Sequence, residues 1–249
     1  MGPGQGRNRL RTRAVLGGAL AAGALTIGAT GGMTWAVRGR SSQVFGPSVW
    51  RGRPGRKAIA LTFDDGPSPA TPQILDILAS FNIPATFFQC GENVLRAPEL
   101  SRAVCAGPHE IGNHSHTHPN FALKRPTYIL DEFLRAQNAI AETTGRTPAV
   151  VRPPFGVRWF GFREMQERLG LTCIMWSVIG FDWKLAAPRV TNCVVSRAHD
   201  GAIIVLHDGR GTLKDPDARP TIEAVRWIVP ALLEKGYHFE TVSQLVCRT

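Results

Sequence analysis

Residues 58–249 predict an α/β fold, an irregular (β/α) barrel with about seven parallel strands, preceded by an N-terminal hydrophobic segment. Three observations lead there. Apolar, strand-like runs alternate with segments whose apolar residues recur at helical spacing. The runs are almost continuously apolar, as in strands buried on both faces of a parallel sheet. Polar, chemistry-bearing residues gather at the C-terminal end of one run after another, and in a parallel barrel those ends share one rim.

The series starts with a strand over 58–63. A helix over 72–81 follows, with Pro72 near its start and Ile74, Leu75, Ile77 and Leu78 at helical spacing. A strand at 85–89, a helix at 98–106 and a short strand at 110–113 come next. The segment 126–143 is a longer helix, carrying Ile129, Leu130, Phe133, Leu134 and Ile140 at a period near 3.6. Then come a strand at 150–152, a helix at 160–169, a strand at 171–177 and a helix at 188–198. The apolar strand 202–207, a helix at 219–235 and a strand at 237–241 complete the domain.

The first 57 residues differ in composition. They hold ten of the 29 basic residues and no Asp or Glu, so residues 58–249 carry 19 basic and 19 acidic side chains. The formal charge of +10 therefore belongs to the leader, and no groove for nucleic acid is implied. Arg7, Arg9, Arg11 and Arg13 fall in a basic segment, 1–13. Residues 14–37 contain no charge over 24 positions, enough to cross a bilayer as a helix. Basic residues ahead of the span favour export of the domain on its C-terminal side. We expect an extracytoplasmic protein, anchored by 14–37 or, if that segment is a cleaved signal peptide, secreted. Arg38 and Arg40 lie on the far side of the span, and 38–57, rich in Arg, Gly, Ser and Pro, reads as a linker. Cys90, Cys105, Cys173, Cys193 and Cys247 include no C-x-x-C pair, which argues against a structural zinc ribbon. Their pairing and the oligomeric state are open at this level; Cys173, in an apolar run, reads as a buried thiol.

Candidate chemistry sits at the strand ends. His114 and His118 are four residues apart, a spacing that puts two imidazoles on one side of a turn or helix. Alone, the pair reads as a polar loop as readily as a metal grip. With Asp65 from a neighbouring strand end it becomes a two-His, one-carboxylate set that suits zinc, and also cobalt, nickel or iron. His116 lies between the pair and is expected to be solvated or supporting. Asp64 is then the candidate base, since a divalent ion lowers the pKa of its water from 15.7 to roughly 7. Alone, Asp-Asp-Gly-Pro would be a turn. Arg152, before two prolines, could keep Asp64 charged and aimed. Phe155 offers the first backbone N–H after those prolines, a possible donor to an oxyanion. His207 ends the 202–207 strand and is the candidate acid, with Asp182 as a partner that keeps it protonated. Trp183 and Val205 could wall a small apolar pocket, although core packing explains them equally well. Together these groups fit metal-assisted hydrolysis of an acyl bond.

Thr-Phe-Asp-Asp-Gly (62–66), His-Ser-x-x-His-Pro (114–119), Arg-Pro-Pro-Phe-Gly (152–156), the Trp176…Asp182-Trp183 segment and Leu-His-Asp (206–208) resemble, in order, the five motifs of the polysaccharide deacetylases, the NodB-homology or carbohydrate esterase four family. The resemblance covers about 58–245. It implies a deformed (β/α) barrel with a zinc-type ion. It also implies a metal triad of Asp65, His114 and His118, with Asp64 as base and His207 as acid. Arg152 and Asp182 would orient them, and Trp183 and Val205 would line an acetyl pocket. The implied substrate is an acetylated glycan, chitin oligomers or peptidoglycan, with acetylated xylan in some members. Ile179 stands where many members carry Asp, and Phe155 where many carry Tyr. Trp159, Phe160 and Phe162 could stack on sugar, but packing is the simpler expectation.

Three other readings stay open. An O-acetyl esterase would need less help from His207. A cyclic-amide hydrolase is disfavoured by the exported leader. A non-catalytic carbohydrate-binding module would be expected to have lost the base or a ligand, and Asp64, Asp65, His114, His118 and His207 are all present.

Overall fold

The computed structural model describes residues 31–247, in which strands and helices alternate. Residues 31–38 are helical (α1), and Ser48–Val49 form the short strand β1. Strand β2 (Ala58–Gly66) is buried throughout and leads into α2 (Thr71–Ser80). β3 (Thr86–Gln89), α3 (Gly91–Arg96), α4 (Pro98–Ala106) and β4 (Glu110–Asn113) follow. Helix α5 (Pro126–Thr144) stops at Gly145, whose φ of 71° lies in the left-handed region that glycine enters without strain. β5 (Val150–Val151) runs into a 3-10 turn at Pro154–Gly156 and then α6 (Phe162–Leu169). The remaining elements are β6 (Thr172–Ile174), β7 (Val178–Ile179), α7 (Ala187–Val195), β8 (Ile203–His207), α8 (Arg219–Glu234), β9 (His238–Phe239) and α9 (Val242–Cys247).

The strands make one sheet in the order β1-β6-β5-β4-β3-β2-β8-β7, with β9 also beside β2, and every pairing of these strands is parallel. The sheet curls into an irregular, open (β/α) barrel whose two ends are β1 and β7. Alternation along each strand sorts its side chains. On β2, Ile59, Leu61 and Phe63 pack outward with Ile74 of α2, Val190 of α7 and Ile228 of α8. Ala58 and Ala60 point inward, with Phe88, Ile174, Ile203 and Leu245 of α9. The inward series continues along β2 to Thr62 and Asp64. On β8 the inward series of Ile203 and Val205 ends on His207. The interior is thus apolar at the end closed by α9 and polar at the opposite rim.

Among the described residues nine strands stand where about seven are expected, for two reasons. The run 171–177 is not one strand. Arg152 donates to the carbonyls of Ile174 (3.1 Å) and Met175 (3.3 Å), while the Ser177 hydroxyl accepts from the Ile203 N–H. With those groups taken, the chain leaves the ladder at β6 and rejoins it as β7 beside β8. The other addition is β1, which pairs with β6 inside the segment read as a linker. That segment is packed: Arg158, fully buried, donates to the Ser42 carbonyl (2.7 Å), the Ser48 hydroxyl (3.0 Å) and the Gly39 carbonyl.

Most of the 14–37 segment, and all of 1–13, lies outside the described residues; within them, no helix is long and apolar enough to cross a membrane. Among the described residues Cys90, Cys105, Cys173 and Cys193 are free thiols, and burial pushes Cys173 up to about 12. Trp159 and Phe160 pack with Phe45, and Phe162 packs with Phe133, in keeping with a packing role.

Candidate active site and metal centre

Asp64 and Asp65 lie within β2, not beyond it, and a bulge separates them. Asp64 is in register with Phe88, but the next β2 residue in register with β3 is Gly66, opposite Gln89. Asp65 is the extra residue, with φ of 73°. The bulge lets two adjacent carboxylates serve one site. Gly66 is required next, because a Cβ there would lie 2.3 Å from an oxygen of the buried Asp208. Burial pushes the Asp208 carboxyl up to about 7, and it accepts a hydrogen bond from the Thr71 hydroxyl at 2.6 Å.

Asp65 Oδ1 lies 3.2 Å from His114 Nε2 and 3.0 Å from His118 Nε2. One ligand atom from each residue falls within 4.8 Å of the others. Burial would raise the Asp65 carboxyl, but His114 and His118 hold it well below the usual carboxylate range. The tautomer of His114 indicates what belongs here. Its Nδ1 lies 2.7 Å from the Arg152 carbonyl, which can only accept, so Nδ1 carries a proton, and in the neutral ring that leaves Nε2 with the lone pair that ligates a cation. That lone pair faces Asp65 Oδ1, a buried oxygen with no hydrogen-bond donor. Facing lone pairs repel one another, and a cation shared between them removes that repulsion. Two imidazoles and one carboxylate are a donor set that fits a divalent ion.

The His loop is held by residues that sequence reasoning missed. Asn113 Oδ1 accepts from the Ser115 N–H, and Ser115 Oγ accepts from the His118 N–H. Glu132, on α5 and 2% exposed, accepts from the N–H groups of His116 and Thr117 and from the Thr117 hydroxyl. Its only sequence signal is a charge on the buried face of an amphipathic helix. His116 is buried, not solvated, and packs against Gly91, away from the triad.

Asp64 meets Arg152 in the barrel interior. Arg152 is fully buried, with Nη1 2.6 Å from Asp64 Oδ1 and 2.8 Å from Thr62 Oγ1 and its guanidinium carbon 4.1 Å from the centre of the Phe88 ring. Across the ladder, Asp64 is in register with His207. His207 Nδ1 lies 3.0 Å from Asp182 Oδ1, and Asp182 Oδ2 accepts from the His207 N–H (2.7 Å) and the Thr221 hydroxyl (2.7 Å). Burial would lower the imidazole's pKa, but Asp182, with help from Asp65 and Asp64, raises it to about 9. The Asp182 carboxylate thus favours the charged imidazolium of His207. Thr221, another residue missed, fixes the Asp182 carboxylate.

These groups open on a cavity of about 560 Å³ that reaches both the triad and His207. Val205 and Trp183 line it, as does Ile179, and Trp183 stands edge-on to His207 at 4.9 Å. Phe155 is half exposed, with φ of 56°, and its ring contacts His118 at 4.7 Å. The candidate metal ligands, base, acid and pocket residues thus lie at one barrel mouth, with Arg152 and Asp182 behind Asp64 and His207. Arg38, placed by sequence in the leader, lines the same cavity.

A family model for polysaccharide deacetylases matches residues 51–174. The chain is 35% identical over 200 residues to a chitooligosaccharide deacetylase of Bradyrhizobium sp. (strain ANU 289), covering 77% of this chain and 91% of that protein. It is 37% identical over 191 residues to the peptidoglycan-N-acetylglucosamine deacetylase PgdA of Listeria monocytogenes, covering 76% of this chain but only 39% of PgdA. Among solved structures, the Bc1960 peptidoglycan N-acetylglucosamine deacetylase superposes with a TM-score of 0.75 at 29% identity, covering 80% of this chain and 92% of that one. Motifs, barrel and relatives agree: the chain belongs to the polysaccharide deacetylase family, enzymes that act on acetylated glycans.

Proposed function

We propose that the chain is a metal-dependent hydrolase that removes N-acetyl groups from glycans containing N-acetylglucosamine, chitin oligomers or peptidoglycan. One observation carries the reading: Asp64, adjacent to the Asp65–His114–His118 cluster, is in register across the ladder with His207, which is paired with Asp182. The names of the relatives, chitooligosaccharide and peptidoglycan deacetylases, favour the same substrates. A divalent ion held by Asp65, His114 and His118 would acidify water and polarise the acetyl carbonyl. Asp64, aimed by Arg152, takes one proton from the water whose oxygen attacks the carbonyl carbon. The backbone N–H of Phe155 is the protein donor assigned to the resulting oxyanion. As the carbon–nitrogen bond breaks, His207 Nε2 gives its proton to the departing amine. The products are acetate and a free amino sugar. Trp183 and Val205 exclude water around the acetyl methyl group. We place the enzyme outside the cytoplasm, bound to a membrane through 14–37 or secreted, on the basic start and uncharged stretch of its leader.

Acetate release from N-acetylglucosamine oligomers, with and without chelator, tests the reading. Release that stops with chelator and returns with zinc supports it, and release indifferent to chelator overturns it. The acid also sets the pH dependence. His207 is active when protonated, so kcat/KM falls as pH rises through its pKa. Asp182 raises that pKa, and a bound cation would pull it back below about 9 by repulsion. In Asp182→Asn the alkaline limb is expected to move to lower pH by about one to three units. An unmoved limb would show that another group sets it.

A further inference from the structure

Arg38 stands apart from the rest of the leader's arginines because the barrel holds its neighbours in place. The Val37 carbonyl accepts from the Arg158 N–H at 3.0 Å, and the Gly39 and Ser42 carbonyls accept from the Arg158 guanidinium. The Ser42 hydroxyl ties back to the Ala36 carbonyl at 2.9 Å. Arg40 donates to the carbonyls of Ser177 (2.8 Å) and Trp176 (3.4 Å), the latter residue being part of the cavity wall. A fully buried arginine thus clamps the chain on both sides of Arg38 and delivers its side chain to the mouth that holds Asp64, His118 and His207. Arg38 itself is exposed and has no hydrogen-bond or acidic partner among the described residues, and residues 1–30 contain no Asp or Glu. A cation in the last turn of a helix also complements the helix carbonyls, but that role does not need a place in the cavity wall. The other arginine there, Arg210, is committed to the carbonyls of Trp183 (3.1 Å) and Asp217 (3.4 Å).

An uncommitted guanidinium is a planar fork that matches a carboxylate with two parallel hydrogen bonds. A neutral N-acetylglucosamine oligomer offers it no such partner. We propose that Arg38 is a specificity-determining residue that reads a carboxylate carried by the glycan beside the sugar being deacetylated. The inference rests on the deacetylase reading above and narrows its substrate to anionic, acid-substituted glycans. The carboxylate has two possible sources with the same chemistry, an acid ether on the sugar ring or an attached peptide.

The test compares three probes on the zinc-loaded protein: neutral N-acetylglucosamine oligomers, peptidoglycan strands stripped of peptide, and intact muropeptides. The wild type is expected to prefer an anionic probe. In Arg38→Gln the ratio of kcat/KM for anionic over neutral probe should fall about tenfold, what a charge-assisted hydrogen bond to substrate is worth, with the change carried by KM. Arg38→Glu should lower the ratio further, and raising the salt should erode it in the wild type. A fall with stripped strands assigns the ring acid, and a fall confined to muropeptides assigns the peptide. If the wild type turns over all three and the ratio is the same in Arg38→Gln, the role of Arg38 is overturned while the deacetylase reading stands. If the wild type releases acetate from none of them, the deacetylase reading fails and this inference fails with it.

Discussion

Asp64→Asn is expected to lower kcat by about two to four orders of magnitude, the usual contribution of a positioned general base, while metal content stays at the wild-type level. The separation follows from the bulge in β2. Asp64 continues the inward series of the strand, whereas Asp65, the extra residue, turns to His114 and His118. Asparagine keeps an oxygen at the position that accepts from Arg152 Nη1 but loses the negative charge needed to take a proton. Acetate release and metal analysis on the same preparation check both halves. A variant with wild-type kcat would remove Asp64 from the chemistry. A variant that lost its metal would mean that Asp64 is a ligand as well as, or in place of, Asp65.

Arg152→Met is expected to damage stability as well as rate. It leaves the buried Asp64 carboxylate without its counter-charge, a loss of about 3–5 kcal/mol when one partner of a buried pair is removed. It also leaves the Ile174 and Met175 carbonyls without the guanidinium that draws the chain out of the ladder between β6 and β7. Denaturant unfolding and kcat measure the two effects. The double variant Asp64→Asn/Arg152→Met should be less destabilised than the sum of the two single changes, because the stranded charge is gone. Additive losses would mean that the pair is not coupled. Arg152→Lys should restore charge but not the fork that reaches Asp64, Thr62 and two carbonyls together, so it should recover only part of the activity.

Most of the site was legible because its chemistry sits at strand ends, where sequence pattern and geometry coincide. The β4 strand and α4 were read with the boundaries they have, and His114 follows β4 directly. Asp64, Asp65, Arg152, Asp182 and His207 are candidates for the same reason, and the fold gathers them around one mouth. What escaped depends on contacts between residues far apart in the chain. The run 171–177 is mostly apolar, and nothing local shows that Arg152 will capture two of its carbonyls. Glu132 looks like an ordinary helical carboxylate until the loop it holds, fifteen and sixteen residues earlier, packs against it. Arg38 reads as the first residue of a linker, since its place in the cleft is set by Arg158, more than a hundred residues on. His116 sits in a polar motif and reads as solvated or supporting, and the fold of that loop buries it outside the triad.

The central claim is that Asp65, His114 and His118 clasp one divalent ion beside Asp64. Calorimetric titration of zinc into chelator-stripped protein tests it most directly, with Asp65→Ala and His114→Ala run alongside. The account predicts one site per chain in the wild type and none at comparable affinity in either variant. A wild type that binds no zinc, or variants that bind it as tightly, would contradict it.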